Sequence, residues 1–243
     1  MSRTMLTAAL SIALAFTTGC TGVMRSVVKD KVQHTFESTM IQGSELTDLG
    51  GGLYTYRWMT YRTIFLVGPK GVVLFDPLNR EAAAELKVHI ARVAPGKAIT
   101  HLIYSHDHRD HVSGAEVLGP EVAIVAHEDA AASIAREKID GVRAPTQTVS
   151  GAVTKLDVEG LDVQLVHLPH AHGEGMLAAH LPGHKALFAV DLVWPDELVP
   201  PAAPLSFAGV RHALDRLLEL DFERFIAGRG AGSGGTWRSN GSS

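Results

Sequence analysis

Residues 106–111 read His-Asp-His-Arg-Asp-His. His106 and His108 stand one residue apart just past an apolar run, and Asp110 and His111 follow within a turn. Imidazoles and carboxylates in one place suit Zn²⁺, and Fe or Mn with less selectivity. A packed core has no use for so many polar rings together, and a solvated loop seldom gathers them. These residues therefore read as a metal site. The chain's single cysteine is Cys20 and no Gly-x-Ser-x-Gly elbow occurs, so neither a catalytic thiol nor an activated serine is on offer.

The cluster needs a frame. "AITHLIYS" predicts a buried strand that delivers His106 and His108 from its end. Before it, "LYTYRW", "TIFLVG" and "GVVLFDP" are β-rich runs broken by Gly and Pro, and "REAAAELKVHIARVAP" has helical spacing up to Pro95. After it come a strand "VAIVAH", a helix "EDAAASIAREKI", three short strands "DVQLVHLP", "MLAAHLP" and "KALFAVDLV", a helix "VRHALDRLLELD" and a last strand "RFIAG". Strands thus fall in two groups, each followed by helices. Strict βαβ alternation is absent, and two mixed sheets packed face to face with helices outside, an α/β (α+β) arrangement, fit better. No short-period repeat is visible.

The H-x-H-x-D-H pattern resembles the signature of the metallo-β-lactamase-fold hydrolases. The resemblance runs from about Leu53 to Gly230. "VVLFDP" is similar to the family's strand ending in Asp, here Asp76, and "HLPHAHGEGMLAAHLPGHKALFAVD" resembles its later motifs, in which a His precedes a bridging Asp. The resemblance implies an αββα sandwich with a water-activating dinuclear metal site, zinc foremost. It implies a first site of His106, His108 and His172, and a second of Asp110 and His111, with Asp191 bridging. Asp110 is also expected to serve catalysis directly, and Asp76 to orient the ligands. Family spacing favours His172 over His170 because 191 − 172 = 19; His170 stays a spare ligand or a loop residue. His34, His89, His101, His127, His167, His180, His184 and His212 read as surface or core residues. The implied reaction is hydrolysis of an ester, thioester, lactone or amide-like bond in a small molecule.

The chain departs from the family at its last motif. Where relatives place a His in a Gly-rich turn, "FIAGRG" has Arg229. A guanidinium does not deprotonate in proteins and cannot ligate a metal. Three explanations stay open: one well-held metal, an Arg229 that binds an anionic substrate group, or an altered copy. The last gives the alternative function, a metal-binding relative with weak or no catalysis. The absence of a second cysteine speaks against the subclass with a cysteine ligand.

The ends read differently from the middle. "MSRTMLTAALSIALAFTTGC" has a basic start, a short apolar stretch and small residues, the layout of a secretory signal over 1–19. The apolar stretch is too short for an ordinary membrane span. Cys20 after "TTG" resembles a lipoprotein box, with Thr17 as a departure from it. The expectation is an exported protein, in the periplasm or cell envelope, attached to a membrane by a lipid on Cys20. Residues 20–46 read as a tether, 47–230 as the domain, and the Gly/Ser-rich 231–243 as a disordered tail. "GAGSGG", Gly230–Gly235 at the join of domain and tail, reads as a linker, since no helix follows it. A net charge of −4 with no long basic run excludes a nucleic-acid partner held through phosphates.

Overall fold

The computed structural model describes residues 43–139, 141–193, 206–230 and 236–238. The expected signal sequence, most of the expected tether, Cys20 and His34 lie outside them. Strands β1 (Ser44–Gly50), β2 (Leu53–Trp58), β3 (Tyr61–Val67), β4 (Val72–Phe75), β5 (Ile99–Ile103), β6 (Ala123–His127) and β7 (Gln147–Val149) form one sheet in sequence order. Strands β8 (Val153–Val158), β9 (Leu161–His167), β10 (Leu177–Leu181), β11 (Ala186–Ala189), β12 (Arg224–Ala227) and β13 (Thr236–Arg238) form the other, in the order 13-12-11-10-9-8. Both sheets are mixed: β4 through β7 run parallel after an antiparallel meander, and β11 pairs parallel with β12. Helices are α1 (Arg80–Val93), the single turn α2 (Arg109–Val112), α3 (Glu128–Glu137) and α4 (Phe207–Leu218). This is the αββα sandwich that the resemblance implies.

The apolar runs are continuous because the first sheet is covered on both faces. With side chains alternating along a strand, Val73 and Phe75 join the core between the sheets, while Val72 and Leu74 join the core under the helices. Phe75 meets Phe188 of β11 edge-on, with ring centroids 5.8 Å apart, which locks sheet to sheet. Helix α1 starts where the Asn79 side chain accepts a bond from the Ala82 N–H at 2.8 Å, and it buries Ala82, Ala83, Leu86 and Ile90 at helical spacing. Ser206 caps α4 in the same way through Gly209 N–H.

Two segments differ from expectation. A strand at Ser44–Gly50 precedes the expected first strand LYTYRW and begins inside the expected tether; SELTDLG is an edge strand, mostly polar and half exposed, so its pattern does not stand out. Thr236–Arg238, inside the segment expected to be disordered, pairs antiparallel with β12; three residues at a sheet edge are held by backbone pairing, which composition does not reveal.

Candidate metal centre

The site lies at the carboxyl ends of the parallel strands, where open sheets of this kind place their ligands. Asp76 follows β4, His106 and His108 follow β5, and Asp191 follows β11. The turn α2 then swings Asp110 and His111 back over the strand ends, held by bonds from the His111 and Val112 N–H groups to the His108 carbonyl. One backbone bond, from Leu177 N–H to the Ser105 carbonyl at 2.6 Å, ties the two sheets together beside the site.

His106, His108, His172 and Asp191 each offer a donor atom within 4.8 Å of the others, as do Asp110, His111 and Asp191. Asp191 belongs to both groups. The rings of His106, His108 and His172 stand nearly edge to face, with centroids 4.5–5.3 Å apart and planes inclined by 67–79°. Asp191 Oδ2 is 3.2 Å from His172 Nε2 and 3.8 Å from His106 Nε2. His170 takes no place in either group; it is exposed, at φ 59° in the loop before Ala171.

The hydrogen-bond pattern fixes the state of His106. Ser105 has one hydroxyl proton, and the Asp76 carboxylate takes it at 2.6 Å. The same hydroxyl, 2.9 Å from His106 Nδ1, must therefore accept from that nitrogen. Nε2 is left with a bare lone pair, fully buried and without a hydrogen-bond partner. A buried acceptor in that condition is costly unless a cation meets it. Burial, and next the neighbouring His111, hold His106 well below the usual imidazole range; burial and His172 lower His108. Both are neutral donors. The first group thus fits a divalent metal by its own chemistry.

Asp76 organises the frame. It is fully buried just past β4, and it accepts from the Ser105 N–H at 2.8 Å, the Ser105 hydroxyl, and His111 Nδ1 at 3.1 Å. That last bond turns His111 Nε2 toward Asp191 Oδ2, 3.2 Å away. Burial pushes His111 down, but the Asp191 and Asp76 carboxylates outweigh it and raise the imidazole to about 10. Burial likewise pushes Asp191 up, yet His111, His172 and Arg229 hold it well below the carboxylate range.

Arg229 points into the second group. Its Nε donates to Asp191 Oδ1 at 2.6 Å, and its Nη2 donates to Asp110 Oδ2 at 2.8 Å and Asp191 Oδ2 at 3.1 Å. The far face of the guanidinium rests on the Tyr61 ring, 4.0 Å from its centroid. Burial would lower Arg229, but the Asp191 carboxylate raises it. The second group does not fit a metal as it stands, because a fixed cation already holds its two carboxylates.

The roles of four residues of the site escape sequence reasoning. Ser105 sets the His106 tautomer. Asp107 accepts from Ser133 Oγ at 2.6 Å and from Glu174 N–H at 3.0 Å, pinning the His172 loop to α3. At Gly173 a Cβ would lie 2.4 Å from His106 Cδ2, so only glycine lets that loop close. Tyr61 seats Arg229. Small residues in or next to a metal motif and a tyrosine beside a hairpin turn carry no pattern that would flag them.

A further histidine pair lies apart from the centre. His127 and His167 stack at 3.7 Å with planes 20° apart, beside Asp129. Burial, then His127, lowers His167 to about 4. In-plane lone pairs of nearly parallel rings cannot converge on one ion, and His127 Nδ1 already accepts from Asp129 N–H to cap α3.

The profile of the metallo-beta-lactamase superfamily matches residues 58–229. Among curated proteins, the alpha subunit of 2,4-dinitroanisole O-demethylase from Nocardioides sp. (strain JS1661) is 28% identical over 180 residues, covering 73% of this chain and 55% of the relative. The beta subunit is 24% identical over 197 residues, covering 78% and 59%. The chain thus spans little more than half the length of these relatives. Among solved structures, a metallo-beta-lactamase from Pontibacter korlensis superposes with a TM-score of 0.70 at 18% identity, covering 81% of this chain and 94% of the other. The stereoselective inverting sec-alkylsulfatase Pisa1 from Pseudomonas sp. superposes at 0.69 and 17% identity, covering 80% and 39%. At these identities the likeness to solved structures is one of fold.

Proposed function

The chain belongs to the metallo-β-lactamase superfamily, and from that membership and the geometry of the centre we propose that it is a metal-dependent hydrolase of a small molecule. The observation that carries this reading is the buried, unpartnered Nε2 of His106 facing His108, His172 and Asp191. Three imidazoles and one carboxylate suit zinc best. A metal held by these residues supplies Lewis acidity, which lowers the pKa of water and polarises the bond under attack.

The chain's own groups do the rest. Asp76 and Ser105 hold His106 in one tautomer and His111 in one orientation. Burial pushes Asp110 up, but His111 and Arg229 outweigh it and keep its carboxyl below the usual range, so at neutral pH it is a carboxylate that accepts hydrogen bonds. Asp110 therefore serves to orient a water proton at its carboxylate. Beside it opens a cleft of about 490 Å³, with Arg80, Glu81, Arg109 and Glu116 on its walls. Of the residues in the two donor groups, Asp110 alone stands on those walls. The bond hydrolysed is an ester, thioester, lactone or amide-like bond; the likeness to the 2,4-dinitroanisole O-demethylase subunits adds an aryl methyl ether to the candidates. The rival reading, a metal-binding chain without useful turnover, draws on Arg229. The leader-like residues 1–19 and Cys20 support an exported protein anchored by lipid.

A panel of chromogenic esters, thioesters, lactones and lactams, with 2,4-dinitroanisole added, tests the proposal. At least one member should be hydrolysed, with turnover lost to chelator and restored by zinc. Metal bound without turnover on any member would favour the rival.

A further inference from the structure

We propose that the Arg229 guanidinium is a built-in cation standing in for a second metal ion, so that this chain holds one metal and not two. The inference rests on the metal-dependent reading above, and on that reading for the His106, His108, His172 group alone. Every residue that would make a second metal site apart from the last histidine is present, and each faces the guanidinium. Nε and Nη2 grip the two oxygens of Asp191 at 2.6 and 3.1 Å, Nη2 reaches Asp110 Oδ2 at 2.8 Å, and His111 Nε2 lies 3.5 Å from Nη2. A guanidinium only donates, so it cannot share a metal with these groups. It can only compete with one for the same carboxylates.

The arginine is seated and not merely nearby. Its backbone forms an antiparallel bridge with Tyr61, flanked by bonds from Arg62 N–H to the Gly228 carbonyl at 2.8 Å and from Gly230 N–H to the Thr60 carbonyl at 3.1 Å. The Tyr61 ring covers the guanidinium face. At Gly228 a Cβ would lie 2.4 Å from Val190 Cγ1, so glycine there lets the strand carrying Arg229 close on the one carrying Asp191. Nε ties down Asp191 Oδ1, while Oδ2, shared with Arg229 Nη2 and His111 Nε2, also faces His106 and His172. Arg229 is thus a positioning residue: it turns a carboxylate that would bridge two ions into a donor for one.

The test measures metal per chain after loading the full chain with excess zinc and desalting. Wild type should hold about one ion and Arg229→His about two. Asp110→Asn should leave the wild-type count unchanged but return Arg229→His from two to one. Arg229→Lys, which keeps the charge, should stay at one. Two ions in wild type would overturn the inference and leave the hydrolase reading standing; no ion at all would overturn both. A metal lost from wild type on Asp110→Asn, or an Arg229→His chain that melts like wild type yet holds one ion, would also overturn it. Should Arg229→His fail to fold, wild type and Asp110→Asn alone still decide.

Discussion

At the scale of single residues, the site is a set of donors whose states are set by their neighbours. His106 Nε2 is bare because Ser105 and Asp76 occupy the other side of the ring. His106→Ala or His108→Ala should therefore remove most bound zinc, and His172→Ala should cost far more affinity than His170→Ala; equal losses from the last two would displace His172 from the site. His111 gives a pH signature. Its folded value of about 10 lies above the ordinary 6.5, so its contribution to stability is full below about pH 6.5 and is lost as pH rises toward about 10. Denaturant unfolding of the metal-free chain should show wild type losing stability across that window while His111→Asn does not; parallel curves would mean that Asp76 and Asp191 do not hold a charged imidazole. The histidine cluster itself was legible in the sequence, because few other demands put such residues at that spacing. The inward turn of Arg229 was not, since the sequence shows only that a histidine is missing and not what the side chain there grips. A unit charge about 4 Å from a dication is repelled by roughly 8 kcal/mol at an effective dielectric constant of 20, which is why that orientation bears so directly on the second metal.

At the scale of elements, the strands that end at the site were the most legible part of the chain. Runs such as VVLF and ALFA are buried on both faces, so their hydrophobicity is unbroken and stands out. The strands missed were β1, β7, β8 and β13. The first three lie near sheet edges and expose polar side chains, and β13 has three residues. The turn α2 was also invisible, since four residues give no helical period, yet it carries both Asp110 and His111. The loop before β10 closes by contact between backbone and His106. Gly173→Ala should push that loop away, lower zinc affinity and cost about 1–3 kcal/mol of stability through overpacking. Calorimetry and metal titration on this variant would check it, and an unchanged affinity would show that the loop has room to spare.

At the scale of the whole molecule, two face-to-face sheets from successive parts of the chain come together at the site, and each supplies part of it. The first brings Asp76, His106, His108, Asp110 and His111; the second brings His172 and Asp191, with Arg229 at the end of β12. Each donor group draws on both halves, which makes metal content a readout of the assembled fold. Membrane attachment belongs to residues outside those described: if Cys20 carries a lipid, the mature protein should partition with membranes and Cys20→Ser should block processing or release it. A soluble mature form starting well past residue 20 would exclude the anchor. The central claim, that this centre is a working metal site, is tested most directly by stripping the purified chain with chelator and following hydrolysis of the best panel substrate as zinc is added back. The rate should fall to background on stripping, rise with added zinc, and reach a plateau near about one ion per chain. Turnover that survives complete removal of metal would contradict the account.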